Sequence, residues 1–238
     1  MISKTNIEWA DGSWTNITGC TQISEACDKC YAKPLTERLQ RMGISKYAAG
    51  FHNVVSHERC LNEPLKWQDP KRIFVNSMSD TFHSKVSVEF IRKIFNITQR
   101  APHHTYMMLT KRSQRLVELA KKLPWHDNIW LGVTVESAKY TDRIDDLRQV
   151  PAKVRFLSVE PMLSPLPQLN LDGINWVICG GQSGPGSKPL NPLWAMDLRD
   201  QCVARNIPFF FKQYGGPHNK KLGCVLDGKV WNQYPDMD

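Results

Sequence analysis

The sequence has no long apolar run. No window approaches the roughly 18 uninterrupted apolar residues that a membrane-spanning helix requires, so no membrane partner is expected. The start, "MISKTNIEWADGSW", has no apolar h-region of the kind a secretory leader carries. Both absences set the expectation of a cytoplasmic protein. Cysteine is sparse and odd in number, seven in 238 residues. Without an export signal this argues against a disulfide framework and leaves metal binding or catalysis for any cysteines that cluster. Acidic residues are in deficit, 23 Asp and Glu against 31 Lys and Arg, for a formal net charge of +8. Such a field suits an anionic partner, whether a nucleotide, a nucleic acid or an acidic protein, and it is equally the charge of an ordinary solvated surface. The sequence also lacks internal repeats, low-complexity tracts and linkers, so one domain is expected over residues 1–238.

What is present is a recurrence of short β-branched or aromatic runs. They are "SWTNITG" (13–19), "RIFVNSMS" (72–79), "TYMMLTK" (105–111), "IWLGVTVE" (129–136), "VRFLSVEP" (154–161), "NWVICGG" (175–181) and "PFFFKQYG" (208–215). Amphipathic stretches separate most of them: 33–42, 88–100, 113–122, 138–149 and 193–205. Ser87 reads as a helix start, and "QRLVELAKKL" after Ser113 carries an apolar stripe of Leu116, Leu119 and Leu123. Strand and helix alternating this often predict an α/β fold with parallel strands buried on both faces. Six or seven such units predict a complete or partial (β/α) TIM-like barrel. Residues 43–69 are too long for a simple loop and read as a helical excursion, and 217–238 as a C-terminal extension.

In a parallel barrel the active site lies at the C-terminal ends of the strands. All seven runs end in polar residues. The second ends in Asn76, Ser77, Ser79 and Asp80, the third in Thr110, Lys111 and Arg112, and the fourth in Thr134 and Glu136. The fifth ends in Ser158 and Glu160, the sixth in "GGQSGPG" with Gly180, Gly181 and Gln182, and the seventh in Lys212 and Gln213. Wet loops account for any one of these alone. Together, Glu136 and Glu160 aim two carboxylates at one mouth, suited to an amine, a ribose diol or a proton. The glycines let a ligand approach the backbone, although the motif is neither a Walker loop nor G-x-G-x-x-G.

On the same rim, after the first run, lies "CTQISEACDKCY", with Cys20, Cys27 and Cys30 spaced Cys-x6-Cys-x2-Cys. Three readings stand. A structural zinc site takes a fourth ligand from His57 or Cys60 and makes the chain a non-catalytic, zinc-stabilised nucleic-acid-binding module. A redox Cys-x2-Cys leaves Cys20 unexplained. An iron–sulfur cluster held by three thiolates keeps one iron open to a small molecule.

A three-cysteine loop after the first strand, ending in Cys-x2-Cys-aromatic, resembles the radical S-adenosylmethionine superfamily, whose usual spacing is Cys-x3-Cys-x2-Cys. Nearly the whole chain resembles a narrower family of radical-SAM-like proteins of unknown function found in phages and bacteria. It does so through "IEWADGSWTNITGCTQISEACDKCYA", "RIFVNSMSDTFH", "LTKR", "WLGVTVES", "VRFLSVEPM", "WVICGGQSGPGSKP" and "PFFFKQYG".

The resemblance implies a [4Fe-4S] cluster on Cys20, Cys27 and Cys30, with Tyr31 packed beside it. It implies S-adenosyl-L-methionine as cofactor, cleaved to a 5'-deoxyadenosyl radical, and an electron donor such as flavodoxin or ferredoxin. By position, Ser77, Ser79 and Asp80 stand in for the motif that meets the methionine amine. Thr134 and Glu136 would face the ribose, Ser158 and Glu160 the ribose or methionyl end, and Gly180, Gly181 and Gln182 the adenine. Lys111, Arg112 and Lys212 would pair with a carboxylate or an anionic substrate. The substrate class expected is a nucleotide or nucleic-acid base, which implies nucleic acid modification in a bacterium or phage-infected host. Cys179 is a candidate hydrogen-atom relay, and its setting in "WVICGG" equally suits a core thiol.

Overall fold

The computed structural model describes residues 5, 7–184, 186–217 and 223–236. Seven strands form one sheet in chain order: β1 (Gly12–Ser13), β2 (Arg72–Val75), β3 (Thr105–Thr110), β4 (Ile129–Thr134), β5 (Val154–Val159), β6 (Trp176–Gly180) and β7 (Phe209–Gln213). The registered pairs, β1 with β2, β2 with β3, β5 with β6 and β6 with β7, are all parallel. The fold class is therefore the expected α/β, with the strand order of a partial (β/α) barrel whose edges are β1 and β7. All six residues of β4 and all five of β6 are buried, as two covered faces require. Among the described residues no helix is long and apolar enough to cross a membrane.

Contacts group the chain into two compact units. The first comprises Met1–Ile23, Cys30–Leu131 and Val150–Lys153; the second comprises Ser24–Lys29, Gly132–Gln149 and Val154–Asp238. The first unit contains α1 (Ala32–Arg41), α2 (Val88–Arg100) and α3 (Ser113–Ala120). The Ser87 hydroxyl accepts the Phe90 N–H at 3.1 Å and starts α2 where the sequence predicts it. Ile91, Ile94 and Phe95 on α2 and Leu116 on α3 are fully buried, and each such side chain contributes about 2 kcal/mol. The second unit contains α4 (Asp142–Arg148) and α5 (Pro192–Val203). The Phe156 ring there fills the space left by Gly132, whose Cβ would overlap it.

Three expectations change. The first run does not form one strand: only Gly12–Ser13 joins the sheet, while Ile17–Thr18 pairs antiparallel with Val55–Ser56. A side chain distant in sequence divides it: Asn76 Oδ1 accepts the N–H groups of both Asn16 and Ile17, at 2.8 and 3.1 Å, and takes donors a continuous ladder would use. The helical excursion at 43–69 contains no α-helix. It has three 3-10 turns, Ser45–Tyr47, Glu58–Cys60 and Pro64–Lys66, besides the strand Val55–Ser56. Its buried residues are Phe51, Cys60, Leu61, Pro64 and Trp67, and the last four lie on and beside two separate 3-10 turns in place of one continuous helix. The helix expected at 138–149 is a 3-10 turn, Ala138–Tyr140, followed by the shorter α4. Of the C-terminal extension, 218–222 and 237–238 lie outside the described residues. The remainder carries a two-stranded ribbon, Val225–Leu226 against Lys229–Val230.

Candidate functional site

The first unit carries a connected polar cluster beyond the ends of β1, β2 and β3. Asp80 is its centre. Its carboxylate accepts from Thr110 Oγ1 at 2.8 and 2.9 Å, from the N–H of Phe82 at 2.9 Å and of Lys111 at 3.2 Å, and from Arg112 at 2.9 Å. A carboxylate with so many donors is committed to the protein, which leaves little acceptor capacity for a ligand amine. Its effect is to aim Arg112. That guanidinium donates to Thr21 O and Oγ1, at 2.9 and 3.1 Å, and lies 3.7 Å from Cys20 Sγ. Burial opposes the Arg112 charge, but Asp80 and Cys20 outweigh it and hold the group above its usual range.

His83 completes the cluster. Its Nδ1 accepts the Lys85 N–H at 3.1 Å and its Nε2 meets Thr21 Oγ1 at 2.8 Å, which in the neutral ring places the proton on Nε2. Burial, and then the neighbouring Arg112, push this imidazole down to about 4. The remaining rim residues fix the loop backbone. Ser79 Oγ donates to Gly19 O at 2.5 Å, Ser77 Oγ accepts from Ser13 Oγ at 2.7 Å, and Tyr31 OH donates to Ser77 O at 2.6 Å. Of Lys111, it is the backbone N–H that joins the cluster.

Cys20 and Cys30 both pack against one small apolar cluster, formed by Ala32, Phe51 and Met78. Neither is in a disulfide, and both are partly exposed. The Gly19 backbone sits tight against the Asn53 and Phe51 carbonyls, so a Cβ at Gly19 has no room, and its φ of +81° favours glycine. That close approach tethers the start of the cysteine loop to the segment bearing Phe51.

In the second unit, Glu136 follows β4, fully buried, with Oε2 on Arg143 at 2.9 Å and Oε1 without a partner. Arg143 also donates to Thr134 O at 2.7 Å and lies over the Tyr140 ring. Glu160 follows β5. Its Oε1 accepts from Lys212 at 2.6 Å, and its stem lies 3.3 Å from where a Gly180 Cβ would be. Gln213 Nε2 bridges Glu160 Oε1 and Ser183 Oγ, at 3.4 and 3.1 Å. Gly181 must be glycine because a Cβ there would overlap the Tyr214 carbonyl oxygen. The Gln182 carbonyl accepts from Gly216 N at 2.8 Å, and Ser158 is buried at the end of β5. Gly180, Glu160, Lys212 and Gln213 therefore lie together, with Gly181 and Gln182 continuing the chain from Gly180; Pro185 of the glycine-rich motif lies outside the described residues.

Cys27 belongs to this unit, in the segment Ser24–Lys29, with its Sγ 3.7 Å from Ser24 Oγ. Lys29 donates to Gly186 O at 2.6 Å and Glu25 pairs with Lys139. Cys179 lies in the core of the same unit. It is fully buried with its thiol 3.9 Å from Met162 Sδ, and burial drives that thiol far above its usual range, which is the setting of the core thiol that the sequence equally suits.

The implied cluster fits in kind. All three cysteines are outside any disulfide and partly exposed, and among the described residues no three His, Cys, Asp or Glu side chains form a metal-holding group. The zinc alternative meets the same limit. His57 Nε2 is engaged by Thr18 Oγ1 at 2.8 Å, and Cys60 is buried. Thr21, His83 and Arg143 are the participants not singled out from the sequence. His83 had a readable signal, three residues after Asp80 on the rim; Thr21 and Arg143 owe their roles to contacts no pattern displays.

No curated protein matches the sequence. Among solved structures, a spore photoproduct lyase complexed with dinucleoside spore photoproduct is similar at 12% identity with a TM-score of 0.45, over 76% of this chain and 58% of that one. The chain thus spans less than two thirds of that protein's length. A family model described as "Protein of unknown function (DUF5131)" matches residues 4–235, nearly the full length, and the chain belongs to that family.

Proposed function

We infer that the chain is an enzyme of the radical S-adenosylmethionine type acting on an anionic substrate, with a nucleotide or nucleic-acid base as first candidate. The observation that carries this reading is the setting of Cys20 and Cys30. Two partly exposed thiols, neither in a disulfide, border one apolar cluster next to the strand ends of a parallel sheet, where ligands of α/β folds bind. A guanidinium is held against one of them. A cluster held by three thiolates supplies one-electron chemistry when bound. Cys20, Cys27 and Cys30 are the residues that would hold it.

What the chain's own residues do follows from their contacts. Asp80 and Thr110 hold Arg112 in one place, and Arg112 in turn fixes the Thr21 backbone and lends positive charge to the cysteine loop. Glu160 neutralises Lys212 in the second unit, so that pair presents a hydrogen-bonding edge in place of a net charge. The test is anaerobic reconstitution with iron and sulfide, with spectra recorded with and without S-adenosylmethionine and a search for 5'-deoxyadenosine. Binding of iron and labile sulfide that is lost in Cys20→Ala, Cys27→Ala or Cys30→Ala supports the reading. One zinc and no sulfide points to the structural-zinc reading instead.

A further inference from the structure

The surface of α1 is unlike the other helices. Tyr31, Leu35 and Met42 stand at spacings of four and seven residues and so share one stripe, and all three are exposed, Tyr31 at 53% and Met42 at 60%. Ile44 and Ile23, close in sequence, are exposed as well. Of the nine exposed large hydrophobic residues among the described residues, five lie between 23 and 44; the others are Leu193, Val203 and the ribbon pair Val225 and Val230.

Arg38 falls within the stripe and Arg41 beside it, both exposed. Among the described residues neither side chain has a hydrogen-bond or ion-pair partner. Arg72, Arg112, Arg143, Arg148 and Arg199, by contrast, are each held by a carboxylate. Glu37 is the single acid on α1. The Tyr31 ring is exposed while its hydroxyl is tied to Ser77 O at 2.6 Å, so the ring is held in one orientation instead of turning freely.

We propose that this stripe, Tyr31, Leu35, Arg38, Arg41 and Met42, is a docking surface for a single strand of nucleic acid. The occupant has to be anionic to meet two unpaired arginines and apolar to cover a tyrosine, a leucine and a methionine. A strand with splayed bases is both: arginines take phosphates, and the ring and aliphatic side chains take base faces. A second copy of this chain is disfavoured, since it would set like-charged stripes against each other in a chain of net charge +8. The proposal rests on the functional reading above and names its substrate class. It places the strand on the helix that begins two residues after Cys30.

The test is fluorescence anisotropy of the full chain, without iron, against a 5'-fluorescein mixed-sequence 20-nucleotide DNA strand, its RNA counterpart and the matching duplex. Titrations run across a range of salt. The expected result is preferential single-strand binding. Arg38→Gln with Arg41→Gln weakens it at least tenfold and lowers the magnitude of the salt slope by about 1.4, the value for two phosphate contacts on a single strand. Tyr31→Ala weakens it roughly tenfold with the slope unchanged, as loss of one stacking contact requires.

Arg59→Gln with Arg100→Gln, also exposed and equal in charge, is the control and should have little effect. Equal loss in the control, preference for duplex, absence of binding, or a stripe-dependent dimer in sedimentation overturns the proposal. Because the protein carries no iron in this experiment, a null result counts against the docking surface, whereas failure to load iron counts against the enzyme reading.

Discussion

Asp80 and Arg112 form a buried charge pair whose value lies in what each would become alone. Asp80→Ala leaves the Arg112 guanidinium with its main counter-charge removed and costs about 3 kcal/mol or more, read as a fall in the urea midpoint. Asp80→Asn, which retains acceptor capacity, falls between that and the parent. At His83 the folded value of about 4 lies below the usual 6.5, so between these the unfolded chain takes up a proton that the folded chain refuses. The contribution is intact above pH 6.5 and is lost as pH falls to about 4. His83→Gln removes this dependence, and its unfolding midpoint followed from pH 7 to 4 should fall less steeply than the parent's. At Gly181 the Tyr214 carbonyl excludes a Cβ, so Gly181→Ala destabilises by about 2 kcal/mol in the same assay. The sequence identifies the acids, the glycines and the cysteines as residue types at strand ends. It cannot show that Asp80 is saturated by donors from residues 82 and 110–112, because that depends on where two loops meet.

Elements with a single dominant signal are legible from the sequence. β3 to β7 begin and end within a residue or two of the apolar runs, since a strand buried on both faces has no polar alternation to blur it. α2 coincides with its expected span because its cap and apolar face agree. Legibility fails where partners are distant: the first run is divided by the Asn76 side chain, and 43–69 is shaped by scattered anchors. The ribbon in the extension had a local signal, Asp227-Gly228 between Val225-Leu226 and Lys229-Val230, which is a hairpin turn. The chain after it covers the edge strand. Phe211 N donates to Trp231 O at 2.8 Å, and Gln233 meets Phe209 through both its backbone N–H and its Oε1. Removing residues 223–238 uncovers the edge of β7. The truncated protein should associate with rising concentration in light scattering while the parent stays constant at equal loading.

For the whole molecule, the positive balance and the parallel α/β architecture belong to different parts of the account. Composition gives the sign of the partner's charge and nothing of its identity. The order of the strands places every polar run at one kind of strand end, which is why the site could be approached from the sequence at all. The grouping into two compact units could not, because no linker, proline tract or charge shift marks it. Cys27 falls in the second unit and Cys20 and Cys30 in the first, although the three lie within eleven residues of sequence. The central claim is that these thiols bind an iron–sulfur cluster, and iron and labile sulfide analysis of anaerobically reconstituted protein tests it most directly. The account predicts about four irons and four sulfides per chain, lost on replacing any one of Cys20, Cys27 and Cys30. Protein that takes up neither iron nor sulfide, or that holds them equally well without these cysteines, contradicts it.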